Sequence, residues 1–180
     1  MTDTVDIRGQ AEDRRLELLR RRLAERGLRA GDGRPAVPAT GLSDGQRRMW
    51  FVQNADPTGA ILNICLSYRI TGPLDVDRLH DAVRTVVTRH PVLRTTYHAD
   101  DTGEPRLTVH DELAPGWAVH DLTGLGEHAR RLRLEVLAQR EFSAPFDLSA
   151  DSPLRLTVVR TGTDEHILLL VAHHIAWDDG

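Results

Sequence analysis

His166-Ile167-Leu168-Leu169-Leu170-Val171-Ala172-His173-His174, near the end of the 180-residue sequence, is the stretch that decides the fold. Strand side chains alternate between the two faces of a sheet, and Ile167 to Ala172 are apolar at every position. Such a strand has no wet face, so it reads as a central strand covered on both sides. Leu154 to Arg160 reads as its partner in a hairpin that turns around Thr161-Gly162-Thr163-Asp164.

Working back toward the amino terminus, helical and strand patterns alternate. Ser43 is placed to cap a helix through Gln46, Arg47, Met49, Trp50 and Val52 that stops before Pro57. Ile61 to Ile70 reads as a strand ended by Gly72-Pro73. Asp75 caps a second helix whose inner face is Leu79, Val83, Val86 and Val87, ended by Pro91. Leu93 to His98 and Arg106 to His110 read as strands joined by Asp100-Asp101-Thr102-Gly103, and Trp117 to Leu122 as a further one. A third helix covers about 127–141, with Leu134, Val136 and Leu137 inward. The fold class expected is an α/β sandwich, a mixed sheet covered by helices.

Residues 1–41 read differently. Leu16, Leu19 and Leu23 make a narrow helical stripe within residues 11–28, and a Gly/Pro/Ala linker follows from Arg29 to Gly41. The arginines of that helix are interleaved with Glu12, Asp13, Glu17 and Glu25 and have no aromatic among them, which argues against a nucleic-acid arm. The compact domain is expected over residues 42–180.

Composition narrows the function classes. The chain is 40% apolar and 28% charged with a net charge of −4, the profile of a globular domain without a general pull toward nucleic acid or anionic lipid. No apolar run approaches a membrane span, and the start, Met-Thr-Asp-Thr-Val-Asp, lacks a signal-peptide pattern, so a cytoplasmic location is expected. The single cysteine, Cys65, lies in an apolar strand and reads as a buried, inert thiol.

The stretch that packing alone does not explain is His173-His174-Ile175-Ala176-Trp177-Asp178-Asp179-Gly180. Imidazole moves protons near neutral pH. Consecutive strand residues point to opposite faces, so one histidine can meet a cleft while the other packs behind it. That geometry also argues against a shared metal ion, and no further His or Cys lies at ligand spacing, so no metal is expected. On the residues alone, a structural pair and a catalytic pair both remain open.

His173-His174-x-x-x-Asp178 resembles the core motif of nonribosomal peptide synthetase condensation domains, and other segments match that family in order. Leu42-Ser43-Asp44-Gly45-Gln46-Arg47-Arg48-Met49-Trp50-Phe51 looks like its first motif, and Arg89-His90-Pro91-Val92-Leu93-Arg94-Thr95-Thr96-Tyr97 like its second. Gly72-Pro73-Leu74-Asp75 and Pro145-Phe146-Asp147-Leu148 are similar to further recurring segments. The resemblance implies a chloramphenicol-acetyltransferase-like fold, of which this chain corresponds to the amino-terminal lobe, cut at the active-site motif. It also implies peptide-bond formation between a donor acyl and an acceptor aminoacyl thioester. The partners implied are two peptidyl carrier proteins with their phosphopantetheine arms and the second lobe of the same domain. No cofactor would be bound directly, and the lobe alone would not turn over.

The same resemblance implies His174 as the active-site imidazole, acting as a base or as a positioner of the amine, with His173 supporting it. Asp178 is implied to form a structural ion pair with Arg94. The sequence departs from the family at Asp179, where glycine is usual; read with one insertion, Asp179-Gly180 would supply the Asp-Gly pair instead. That departure keeps a second class open, a condensation-like platform without catalysis that recruits a tailoring enzyme. An epimerisation domain shares the double histidine, but the first two motifs here look closer to condensation. The Asp-x-x-x-x-Asp pattern of heterocyclisation relatives is absent.

Overall fold

The computed structural model describes residues 41–177, all within one unit of the chain. The helix expected at 11–28, its linker, and Asp178, Asp179 and Gly180 lie outside the described residues. The order of elements is α1 (Asp44–Ala55), β1 (Asn63–Thr71), α2 (Val76–Arg89), a 3-10 turn (Pro91–Arg94), β2 (Thr95–Ala99), β3 (Pro105–Val109), β4 (Gly116–Asp121), α3 (Glu127–Ser143), β5 (Leu154–Gly162) and β6 (Glu165–His173).

Four strands form one sheet in the order β1-β6-β5-β4, and β2 and β3 form a separate two-stranded ribbon. The β5–β6 hairpin and the β1–β6 pair are antiparallel, whereas β4 runs parallel to β5, so the sheet is mixed. The strand that is apolar on both faces is an inner strand. Its alternation divides the core: Ile167, Leu169 and Val171 face α3 and α1, packing with Leu137, Trp50 and Phe146, while Leu168, Leu170 and Ala172 face α2, packing with Val83 and Val87. Burying each of the larger aliphatic side chains is worth about 1.5–3 kcal/mol, so β6 anchors both layers of the sandwich.

Local signals set the helix starts. Ser43 Oγ accepts the N–H of Gln46, and the Gln46 side chain accepts the N–H of Ser43, closing a capping box on α1. Asp75 accepts from Arg78 N–H at the start of α2. Gly72, at φ 105°, turns the chain out of β1 where a side chain would be strained.

Several boundaries and faces depart from the sequence reading. Leu93 and Arg94 belong to a 3-10 turn that Pro91 opens, so β2 starts at Thr95 rather than at Leu93. The strand β6 closes at His173, one residue earlier than expected. Val86 and Val136 are exposed, since only the narrow stripes of Val83 and Val87, and of Leu134, Leu137 and Ala138, reach the sheet. Cys65 is exposed rather than buried: β1 ends the strand order, so Cys65, opposite Val171 and 3.8 Å from the Phe142 carbonyl, sits at the rim of the face that α3 covers.

Candidate functional site

The two histidines sit where β6 leaves the sheet, between the start of β1 and the segment that enters β5. The N–H of His173 donates to the carbonyl of Pro153 at 2.9 Å, and that of His174 to the carbonyl of Leu62 at 2.9 Å. The successive amides point to opposite neighbours, as in a strand, although the regular pairing ends at His173. The chain then turns, with Ala176 N–H donating to the His173 carbonyl at 3.0 Å.

His173 is entirely buried. Its Nε2 lies 3.1 Å from Gln53 Oε1 on α1, its Nδ1 lies 3.1 Å from the N–H of Ile175, and the ring meets Phe146 edge to face at 5.9 Å. Burial lowers its pKa to about 4, and the neighbouring His174 acts in the same direction. His173 is therefore a neutral, packed imidazole at physiological pH.

His174 is half-buried, and its Nδ1 lies 2.8 Å from the carbonyl oxygen of Trp177. A carbonyl only accepts, so in the neutral ring Nδ1 carries the proton and Nε2 keeps its lone pair. None of the described residues forms a hydrogen bond to Nε2. An imidazole held in this tautomer can take a proton at Nε2 or accept a hydrogen bond there.

Arg94 and His110 exchange hydrogen bonds: the Arg94 guanidinium donates to the His110 carbonyl, and the His110 N–H donates to the Arg94 carbonyl at 2.9 Å. Arg94 Nε is buried and has no partner among the described residues. Leu93, just before it, packs in one cluster with Ala172, Ala176 and Trp177, so the 3-10 turn abuts the histidine loop. The structure thus brings His173 and His174 together and sets the turn ending in Arg94 against their loop. Asp178 and Asp179, with the expected ion pair, lie outside the described residues.

The sequence reading missed residues that shape this region. Gln53 holds the His173 ring, and Gln46 Nε2 donates to the Ile175 carbonyl at 3.4 Å and to Tyr97 Oη at 3.2 Å. Arg155 covers the Phe146 ring at 4.2 Å and donates to the carbonyls of Glu141, Ala144 and Pro145. It thereby fixes the segment that presents Phe146 to His173. The seven-residue spacing of Gln46 and Gln53, flanking Met49 and Trp50 on one helix stripe, was the available signal.

Two of the clefts on the described surface lie near these residues. One, of 590 Å³, is lined by Trp50, Gln53, Tyr97, Phe146 and the turn around Asp147; the other, of 460 Å³, by His80, Arg84, Arg94 and the segment from Asp111 to Pro115. His174 lines neither. Among the described residues no group of three or more His, Cys, Asp or Glu is arranged to hold a metal ion, and no helix is long and apolar enough to cross a membrane.

A mixed sheet with helices on both faces is the fold of a chloramphenicol-acetyltransferase-like lobe, and the two histidines sit where its inner strand ends. The condensation domain family model matches residues 39–179, and the chain belongs to that family. It is 34% identical over 151 residues to the phosphinothricin tripeptide synthetase PhsC of Streptomyces viridochromogenes, covering 80% of this chain and 14% of that protein. It is 36% identical over 146 residues to the isonitrile lipopeptide synthase of Mycobacterium tuberculosis, covering 81% of this chain and 6% of that protein. Among solved structures, the starter condensation domain of the rhizomide synthetase RzmA superposes with a TM-score of 0.67 at 20% identity, over 76% of this chain and 32% of that one. The first condensation domain of the calcium-dependent antibiotic synthetase gives 0.64 at 24% identity, over 75% and 32%. The chain thus spans about a third of each of these solved domains, a coverage that fits an amino-terminal lobe.

Proposed function

We propose that this chain, as the amino-terminal lobe of a two-lobed condensation domain, serves amide-bond formation between a donor acyl thioester and the amine of an acceptor aminoacyl thioester. Both substrates would arrive on the phosphopantetheine arms of peptidyl carrier proteins. The observation that carries the proposal is the 2.8 Å contact of His174 Nδ1 with the Trp177 carbonyl, which assigns the ring proton to Nδ1 and leaves the Nε2 lone pair for substrate.

The acceptor nitrogen attacks the donor carbonyl, a C–N bond forms, and the C–S bond breaks to release the donor carrier's thiol. One proton must leave the nitrogen. His174 Nε2 can take it directly, or accept a hydrogen bond from the amine and so aim its lone pair at the carbonyl. The supporting residues fit around that role. His173 is neutral and buried, so it holds the loop without competing for the proton. Arg94 Nε is buried with no partner among the described residues, and the turn that ends in Arg94 packs through Leu93 against the histidine loop, which supports the Arg94–Asp178 pair as a lock on loop geometry.

The test is single-turnover dipeptide formation between two loaded carrier proteins, using the two-lobed domain with its native second lobe. Amide formation supports the reading. No product with any cognate pair, together with saturable binding of a tailoring enzyme, would replace it with the platform role that Asp179 keeps open.

A further inference from the structure

Gln46 and Gln53 stand two turns apart on the inward stripe of α1; Gln46 reaches Ile175 directly, and Gln53 reaches it through His173. The Oε1 of Gln46 is committed to the N–H of Ser43 by the capping box, which orients its amide so that Nε2 points to the Ile175 carbonyl and Tyr97 Oη. Gln53 acts one step removed. Ile175 N–H can only donate, so His173 Nδ1 must be bare; His173 Nε2 then carries the proton and donates it to Gln53 Oε1. Replacing that oxygen by a group that cannot accept would strand a buried N–H and remove the restraint on the ring's orientation. The N–H and the C=O of Ile175 are therefore both held from the same helix, one through His173 and one directly.

We propose that Gln46 and Gln53 are positioning residues of the condensation reaction, a two-point clamp from α1 that fixes the turn carrying His174. The proposal rests on the reading of His174 as the reacting imidazole. The clamp itself is a property of this chain and is measurable without turnover.

Two pairs of variants separate positioning from packing. Gln46→Glu keeps an acceptor for the Ser43 N–H, and so keeps the helix cap, but cannot donate to the Ile175 carbonyl; Gln46→Ala loses both. Gln53→Glu keeps an acceptor for His173 Nε2–H; Gln53→Met is close in size and offers only a weakly accepting thioether sulfur. In ¹⁵N imidazole spectra of the full chain, wild type shows His173 as the Nε2–H tautomer with a protected Ile175 amide. Gln53→Met mixes the tautomers and speeds Ile175 exchange at least tenfold, and Gln53→Glu restores both. Gln46→Glu loosens the loop while leaving α1 helicity unchanged. In the two-lobed domain, Gln46→Glu and Gln53→Met lower kcat by about 10–100-fold with KM nearly unchanged, and Gln53→Glu recovers most of the rate. Unaltered tautomer and exchange in Gln53→Met and Gln46→Glu would overturn the clamp. Altered spectra with wild-type kcat, in a domain that His174→Ala inactivates, would overturn its role in positioning. Full activity of His174→Ala would overturn the assignment of His174 instead, and with it the target of the clamp.

Discussion

The Nδ1 of His173 accepts the backbone N–H of Ile175 at 3.1 Å, so a side chain at the end of β6 holds the peptide that begins the next turn. This bond exists only while the ring is neutral. The folded pKa of about 4 lies below the ordinary histidine value, so the unfolded chain binds the proton more readily. The His173 contribution is complete above about pH 6.5 and is lost as pH falls toward 4, amounting to about 3 kcal/mol over that window. Chemical denaturation from pH 7 to pH 4 should therefore show a steeper loss in wild type than in His173→Gln. Parallel profiles would mean that His173 titrates normally in the fold.

The core prediction contrasts two aliphatic residues. Leu169 is 1% exposed at the centre of β6, and Leu169→Ala should cost about 2–5 kcal/mol through lost burial and a residual cavity. Val86 is 47% exposed on α2, and Val86→Ala should change stability by no more than about 0.5 kcal/mol. Equal costs for the two would contradict the assignment of faces.

Arg155 should matter more than a surface arginine. It donates to three carbonyls between Glu141 and Pro145 and covers Phe146, so Arg155→Met should destabilise the lobe by about 2 kcal/mol or more by thermal or urea unfolding. Arg78→Met, at an exposed ion pair with Asp75, should cost at most about 1 kcal/mol in the same assay.

The sequence disclosed what depends on short-range or strand-wide pattern. Ser43 and Asp75 cap helices because capping involves residues two or three apart, and β6 is an inner strand because six consecutive apolar residues leave it no wet face. The failures have one physical root: a pattern does not say which neighbours arrive. Cys65 looked buried because its strand is apolar, but burial depends on β1 being at the end of the sheet. Val86 and Val136 lie at helical spacing to core residues, yet the sheet accepts only a narrow stripe of each helix. Of the candidate site, the place of the histidine pair at the end of β6 was legible. Its support by Gln46, Gln53 and Arg155 was not, since Gln53 and His173 are 120 residues apart in sequence.

Arg94 carries the second half of the site proposal. If Asp178 pairs with it, Arg94→Ala should destabilise the lobe by about 3 kcal/mol, and a double-mutant cycle with Asp178→Asn should show strong coupling. Coupling to Asp179 in place of Asp178 would favour the register with one inserted residue. Absence of coupling to either would remove the ion pair from the account.

The central claim is that His174, through its Nε2, carries the condensation chemistry. The most direct measurement is single-turnover peptide formation by the two-lobed domain, comparing wild type with His174→Ala and His174→Gln after each is shown to melt cooperatively. Loss of about 10²–10⁴ in rate for His174→Ala is predicted. His174→Gln retaining much of the rate would assign positioning, and loss equal to that of alanine would assign proton transfer. Condensation by His174→Ala at the wild-type rate would contradict the account.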